Sequence, residues 1–162
     1  MKKIILTLFV TLMLTGNSHA AGSSSSSGSS SSSNYDKAVK LIKSAKKYEQ
    51  KEKADKAKKN YEKAQKFLIK FDDNNPNDAD TLNYLGFTTR KLGDYENGEK
   101  YYLQGLAIEP NHKGINEYLG ELYVATNRVD LAKERLEVLK NCNCEEYNEL
   151  KDVIEGNKTS KY

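Results

Sequence analysis

The 34 residues from Ala79 to His112, ADTLNYLGFTTRKLGDYENGEKYYLQGLAIEPNH, make one complete helix–turn–helix unit, and the next 34 echo it. Leu82, Leu85, Gly86, Gly98, Tyr102 and Pro110 return one period later as Asn116, Leu119, Gly120, Ala132, Leu136 and Cys144. Thr89 carries no ring, and Tyr123 supplies one at the same place in the second copy. Gly86 belongs where two helices cross closely, since a side chain there holds them apart. Self-similarity at a fixed period of this length signals stacked units, none of which buries its apolar face alone.

Working back from Ala79, a register of 34 puts charged residues where small and aromatic ones belong. Starting at Ala38 instead places Ala45, Tyr48, Ala57, Tyr61 and Ala64 at the small, aromatic, small, aromatic and small positions. From Ala38 to Ala79 is 41 residues, seven more than the period. Seven residues is close to two α-helical turns, so the insertion lengthens a helix without turning its buried side away. The second helix of this unit is predicted from about Ala54 to Asp72, with Ala57, Tyr61, Ala64, Leu68 and Phe71 as its apolar stripe. It should stop at Asp73-Asn74-Asn75-Pro76, because the residue before proline avoids the helical region and Asn favours turns. Asp78 is the predicted cap of the next helix.

Working forward, Glu109-Pro110-Asn111-His112 closes the central unit. A third unit follows with its turn at Thr126-Asn127-Arg128 and a core of Tyr118, Leu119, Leu122, Tyr123, Leu131, Ala132, Leu136 and Leu139. A final amphipathic segment, Glu145 to about Glu155, places Tyr147, Leu150 and Ile154 on one side. Such a helix covers the apolar flank that the last unit of a stack exposes.

The spacing of the central repeat resembles the tetratricopeptide pattern W-x2-L-G-x2-Y…A-x3-F…P. The resemblance implies an all-α fold: an α-solenoid of three helical hairpins, at about 38–76, 79–112 and 113–144, with a C-terminal capping helix at 145–155. It also implies a non-catalytic adaptor, scaffold or assembly factor that holds a peptide or helix in a concave groove. In that family the first helix of each repeat lines the groove. Carried onto this chain, the ligand-facing positions are Val39, Ile42, Lys46, Glu49 and Gln50, then Asp80, Asn83, Phe87, Arg90 and Lys91, then Gly114, Glu117, Glu121, Val124 and Ala125. The expected partner-binding set is Asn83, Phe87, Arg90, Lys91, Glu117, Glu121 and Lys46, with Phe87 as apolar anchor between basic and acidic groups. The Lys/Asn set with which chaperone-binding members clamp a C-terminal carboxylate is not reproduced, since Ile42 and Lys46 stand at the first repeat's clamp positions.

Residues 1–20 read as a secretory signal: Lys2 and Lys3, the apolar run Ile4 to Leu14, then Ser18 and Ala20 at the small positions before a cut. The run is shorter than the roughly 20 residues that span a bilayer, so the expectation is export to a bacterial periplasm without stable membrane insertion. Cleavage after Ala20 removes two lysines and no acid, which takes the formal charge from +3 to +1. So small a charge, spread as interleaved Lys and Glu, gives no field for nucleic acid, and the rings between Lys37 and Lys70 lie on the apolar stripe rather than beside the lysines. Residues 21–34 are a Ser/Gly-rich stretch with no apolar surface to offset ordering entropy, and are expected to be a flexible linker. Asn34 or Asp36 is the predicted cap of the first helix, and residues 157–162 are expected to be a disordered tail.

No residues present themselves for catalysis or for a cofactor. His19 leaves with the signal, and His112 stands alone in an inter-repeat turn without a second ligand at metal spacing. There is no phosphate loop or nucleophile elbow, and the carboxylates alternate with Lys as exposed helical pairs. Cys142-Asn143-Cys144 is the unusual element. In an exported protein the two cysteines form a disulfide by default, and the intervening loop must turn to close it. An intermolecular bridge, or a thiol or Cu(I) site, is the alternative and supplies a rival function. Self-association through the concave side or an apolar flank also stays open.

Overall fold

The computed structural model describes residues 27–159. They form seven helices and, among the described residues, no strand: α1 (Ser27–Glu49), α2 (Ala54–Asp72), α3 (Ala79–Lys91), α4 (Tyr95–Ile108), α5 (Lys113–Ala125), α6 (Val129–Leu139) and α7 (Glu145–Ile154). Helices α1 and α2, α3 and α4, and α5 and α6 pack as hairpins, each stacked on the next, while α7 lies against α5 and α6. The fold is an all-α solenoid of helical hairpins.

Helix α2 shows how sequence becomes element here. Most of its interior is Ala, Lys, Glu, Gln and Leu, which lose little rotamer freedom in a helix. Ala57, Tyr61, Ala64 and Leu68 are buried along one side. It runs 19 residues, against 14 in α4 and 11 in α6. The extra turns are therefore present, and they keep the stripe facing α1. The helix ends as two asparagines take over its last carbonyls: Asn74 Nδ2 donates to Lys70 O at 2.7 Å and Asn75 Nδ2 to Phe71 O at 3.0 Å. Asn77 turns the chain with φ +69°. Asp78 then accepts from the Asp80 and Thr81 amides at 3.0 and 3.4 Å and starts α3.

Three expectations need correction. Leu131, expected in the core of the third unit, is 36% exposed. Helix α1 begins at Ser27, so part of the stretch read as a flexible linker is helical, and neither Asn34 nor Asp36 is its cap. Ala38, Ile42 and Ala45 are fully packed in the core and anchor the helix. Once a helix is nucleated, each further residue adds a hydrogen bond, and an ordinary residue such as serine costs at most about 0.7 kcal/mol of propensity relative to alanine. Of the line Tyr147, Leu150 and Ile154 expected on the inner side of α7, Leu150 is buried and Ile154 packs partly buried against the core, but the second fully buried residue is Val153. The signal-sequence expectation and residues 160–162 of the tail fall outside the described residues.

Close approaches at two glycines set the hairpin geometry. A Cβ on Gly86 would stand 2.5 Å from the ring of Tyr102, which is itself fully buried, so α3 and α4 touch there through a ring laid on backbone. A Cβ on Gly120 would stand 2.5 Å from Leu150, and this lets α7 settle on α5. Between hairpins, Arg128 grips Glu99 with two bonds of 2.9 and 2.7 Å and lays its guanidinium 4.6 Å from the centre of the Tyr123 ring.

Candidate functional site

The first helices of the hairpins, α1, α3 and α5, carry the residues expected to line the groove, and the structure brings most of them into one cluster. Phe87 is wedged between Tyr61, whose ring meets it edge-on at 5.8 Å, and Tyr118, tilted at 5.1 Å. Lys46 from α1 places its ammonium 4.6 Å from the centre of the Phe87 ring and donates to the Tyr118 hydroxyl at 3.2 Å. Arg90 reaches across to α5, donating to the Tyr118 carbonyl at 2.7 Å and pairing with Glu121 at 3.4 Å.

This arrangement corrects the picture of an open groove. Phe87 and Arg90 are each 1% exposed and Glu121 is fully buried. Asn83 and Glu117 are buried as well, while Lys46 and Lys91 are partly exposed. The inner side is filled because the rings of Tyr61 and Tyr118 close on Phe87 from both flanks. Burial pushes the Tyr118 phenol far above its ordinary value, and the carboxylates of Glu117 and Glu121 push it further. It stays a neutral hydroxyl that accepts from Lys46. Tyr61 is shifted the same way by burial and by Glu49, to which its hydroxyl donates at 2.9 Å.

Accessible space lies to either side of the cluster. A cavity of about 1040 Å³ opens where α1 ends, α2 begins and α3 ends. Its lining includes Glu49, Gln50, Lys58, Tyr61, Lys91 and Leu92, together with Thr159 from the far end of the chain. Lys91 pairs with Glu49 across it at 2.6 Å. A second cavity of about 460 Å³ lies at the starts of α3 and α5, where Asn83, Glu117 and Tyr118 meet His112. His112 is not a loose turn residue: Nδ1 accepts from the Ile115 amide at 3.1 Å and caps α5, while Nε2 sits 3.1 Å from Asp80. A third and smaller hollow is lined by Glu117, Glu145, Glu146 and Glu149 beside Tyr118.

Sequence reasoning assigned Tyr61 and Tyr118 to the core and missed that they shape the inner face. A signal existed for one of them: Tyr118 follows Tyr84 by one 34-residue period, and both line the cavity beside His112. Cys142 and Cys144 are joined to each other, with Cα atoms 5.2 Å apart, and Asn143 between them takes φ +47°. No group of three or more His, Cys, Asp or Glu side chains among the described residues could hold a metal ion. No helix among them is long and apolar enough to cross a membrane.

Against known proteins, the stacked hairpins answer to a repeat class. The family model for the tetratricopeptide repeat matches residues 79–112, the α3–α4 hairpin and its closing turn. A search of the curated proteins finds no match. Among solved structures, the chain is similar to one described as the first TPR of Spaghetti (RPAP3) bound to HSP90 peptide SRMEEVD. The identity is 22% and the TM-score 0.47, over 75% of this chain and 94% of that one.

Proposed function

We propose that this chain is an exported, periplasmic adaptor or assembly factor that catalyses nothing itself and takes a protein or peptide partner on its inner side. The observation that carries the reading is the cavity between the ends of α1 and α3. Its volume of about 1040 Å³ suits a few side chains of an extended peptide, and its lining mixes the Tyr61 ring and Leu92 with Glu49, Lys58 and Lys91. Rings supply contact area at low entropic cost, and the surrounding charges set orientation. Phe87, Arg90 and Glu121 hold the shape of this surface from behind, and the partner touches the rim.

The test is photocross-linking in the native periplasm, with the photoreactive side chain at position 50 on the rim or at position 103 on the exposed outer side of α4. The expected result is a partner captured from position 50 and not from position 103. Lys58→Glu, a change at an exposed residue, should weaken that capture while leaving the thermal melt unchanged. Equal capture from both positions, indifferent to Lys58→Glu, rules the cavity out. The mass of the purified protein checks export, because cleavage after Ala20 fixes the mature N-terminus.

A further inference from the structure

The cavity of about 460 Å³ at the starts of α3 and α5 holds a buried amide whose oxygen has nothing to bond. Asn83 lines this cavity and is 7% exposed, and its Oδ1 meets no donor from the protein. A buried amide oxygen in that condition is costly, and native folds keep few of them. Gly114 leaves the amide uncovered, since a Cβ there would stand 2.8 Å from Asn83 Nδ2. The terminal torsion of an asparagine is soft, so a half-turn exchanges the two ends of the amide and sets Oδ1 over Gly114.

The charge around this amide is mostly of one sign. Asp80, Glu109, Glu117 and Glu146 line the same cavity against a single lysine, Lys113. His112 adds no charge: its Nδ1 accepts from the Ile115 amide, so the ring proton sits on Nε2 beside Asp80. Yet among the described residues no three such groups are placed to hold a metal ion. Acceptors spread around a cavity suit a wide, flat cation better than a point charge. The rings of Tyr84 and Tyr118 line the cavity too. A guanidinium carries five donors in one plane, stacks on aromatic faces and is more weakly hydrated than an ammonium. We propose that the cavity beside Asn83 binds an arginine side chain of a partner, with Asn83 Oδ1 and the carboxylates of Asp80 and Glu146 accepting from its guanidinium and the Tyr84 ring lying alongside. This site stands across the aromatic cluster from the cavity at the ends of α1 and α3, and does not depend on it.

The test titrates Nα-acetyl-arginine amide into the full-length chain and follows the amide groups by proton–nitrogen NMR. Nα-acetyl-lysine amide, at the same concentration and salt, matches it in charge. The arginine compound should shift the Gly114 backbone amide and the Asn83 side-chain amide several-fold more than the lysine compound does. Asn83→Leu keeps the volume and removes the acceptor, and should cut the Gly114 shift several-fold. Glu146→Gln, in the first turn of α7, should do the same with the thermal melt unchanged, and it decides alone if the leucine variant unfolds. Equal shifts from both compounds mean that the acids attract any cation, and overturn the proposal. Shifts that bypass Gly114, or that survive Glu146→Gln, overturn it too. Partner capture from position 50 is read on the other side of the cluster, so either reading can fail and leave the other standing.

Discussion

Replacing Phe87 by alanine separates a buried inner face from an open groove. A groove-lining anchor can be truncated without disturbing the melt, because its ring meets only solvent in the free protein. Here the ring is 1% exposed and packed by Tyr61, Tyr118, Lys46 and Arg90. Removing a buried phenyl group loses its transfer free energy and leaves a cavity, together about 3–5 kcal/mol. For a chain of 162 residues each kcal/mol moves the midpoint by about 2–4 °C, so a fall of about 6–20 °C is expected. Phe87→Leu should fall less, since it leaves a smaller void. Circular dichroism at 222 nm during a thermal ramp measures both, and a urea midpoint with unchanged slope shows that stability, not compactness, has altered. A Phe87→Ala midpoint within about 2 °C of the parent would refute the packing described here and restore the exposed anchor.

Gly120→Ala drives a methyl group against Leu150, which is fully buried and has nowhere to swing. The overpacking cost of about 1–3 kcal/mol is partly offset by about 1 kcal/mol of helix propensity, so the informative readout is local. Amide hydrogen exchange should quicken in α7 and not in α2, and unchanged protection of α7 counts against its docking on α5. Asp72 ends α2, where burial raises its pKa above the ordinary 3.8 and the neighbouring Asp73 and Asp78 raise it further. A raised folded-state pKa means that the penalty on the charged form is absent below the unfolded value and grows as pH rises through the folded one. Asp72→Asn should therefore raise the melting midpoint at pH 7 and have no effect near pH 3; an equal effect at both pH values excludes the electrostatic cause.

Periodicity and punctuation made the backbone legible. The stripe from Ala57 to Leu68 and the run Asp73-Asn74-Asn75-Pro76 predict α2 at the residues where it lies, because helix continuation and helix termination both depend on local chemistry. The cap at Asp78 is equally local. What the repeat pattern could not say is whether an inward-facing residue meets water. Position in a repeat gives the direction of a side chain, whereas exposure depends on what arrives from another helix. Arg90 is covered because Tyr118 and Glu121 come to it from α5, and Phe87 because Tyr61 comes from α2. The start of α1 departs from the composition for a related reason. Serine-rich composition describes an isolated chain, and Ser27 to Ser33 extend a helix already held by Ala38 and Ile42.

The cluster behind the inner face also bears on curvature. Helices α3 and α5 are separated in the chain by α4, and hairpin stacking alone leaves the angle between them to the small residues at their crossings. Arg90 ties them directly, with one bond to the backbone of α5 and one ion pair to its Glu121. Burying such a pair contributes little net stability, because desolvation consumes most of the Coulomb gain, but it tolerates few geometries. Lys46 extends the tie to α1 through the Tyr118 hydroxyl, so all three first helices converge on one tyrosine. The distance between the ends of α1 and α3, and with it the cavity that Glu49 and Lys91 bridge, follows from that convergence. A residue such as Arg90 thus acts on a partner through the shape it imposes, and a substitution there should alter affinity only in proportion to how far it splays α3 from α5.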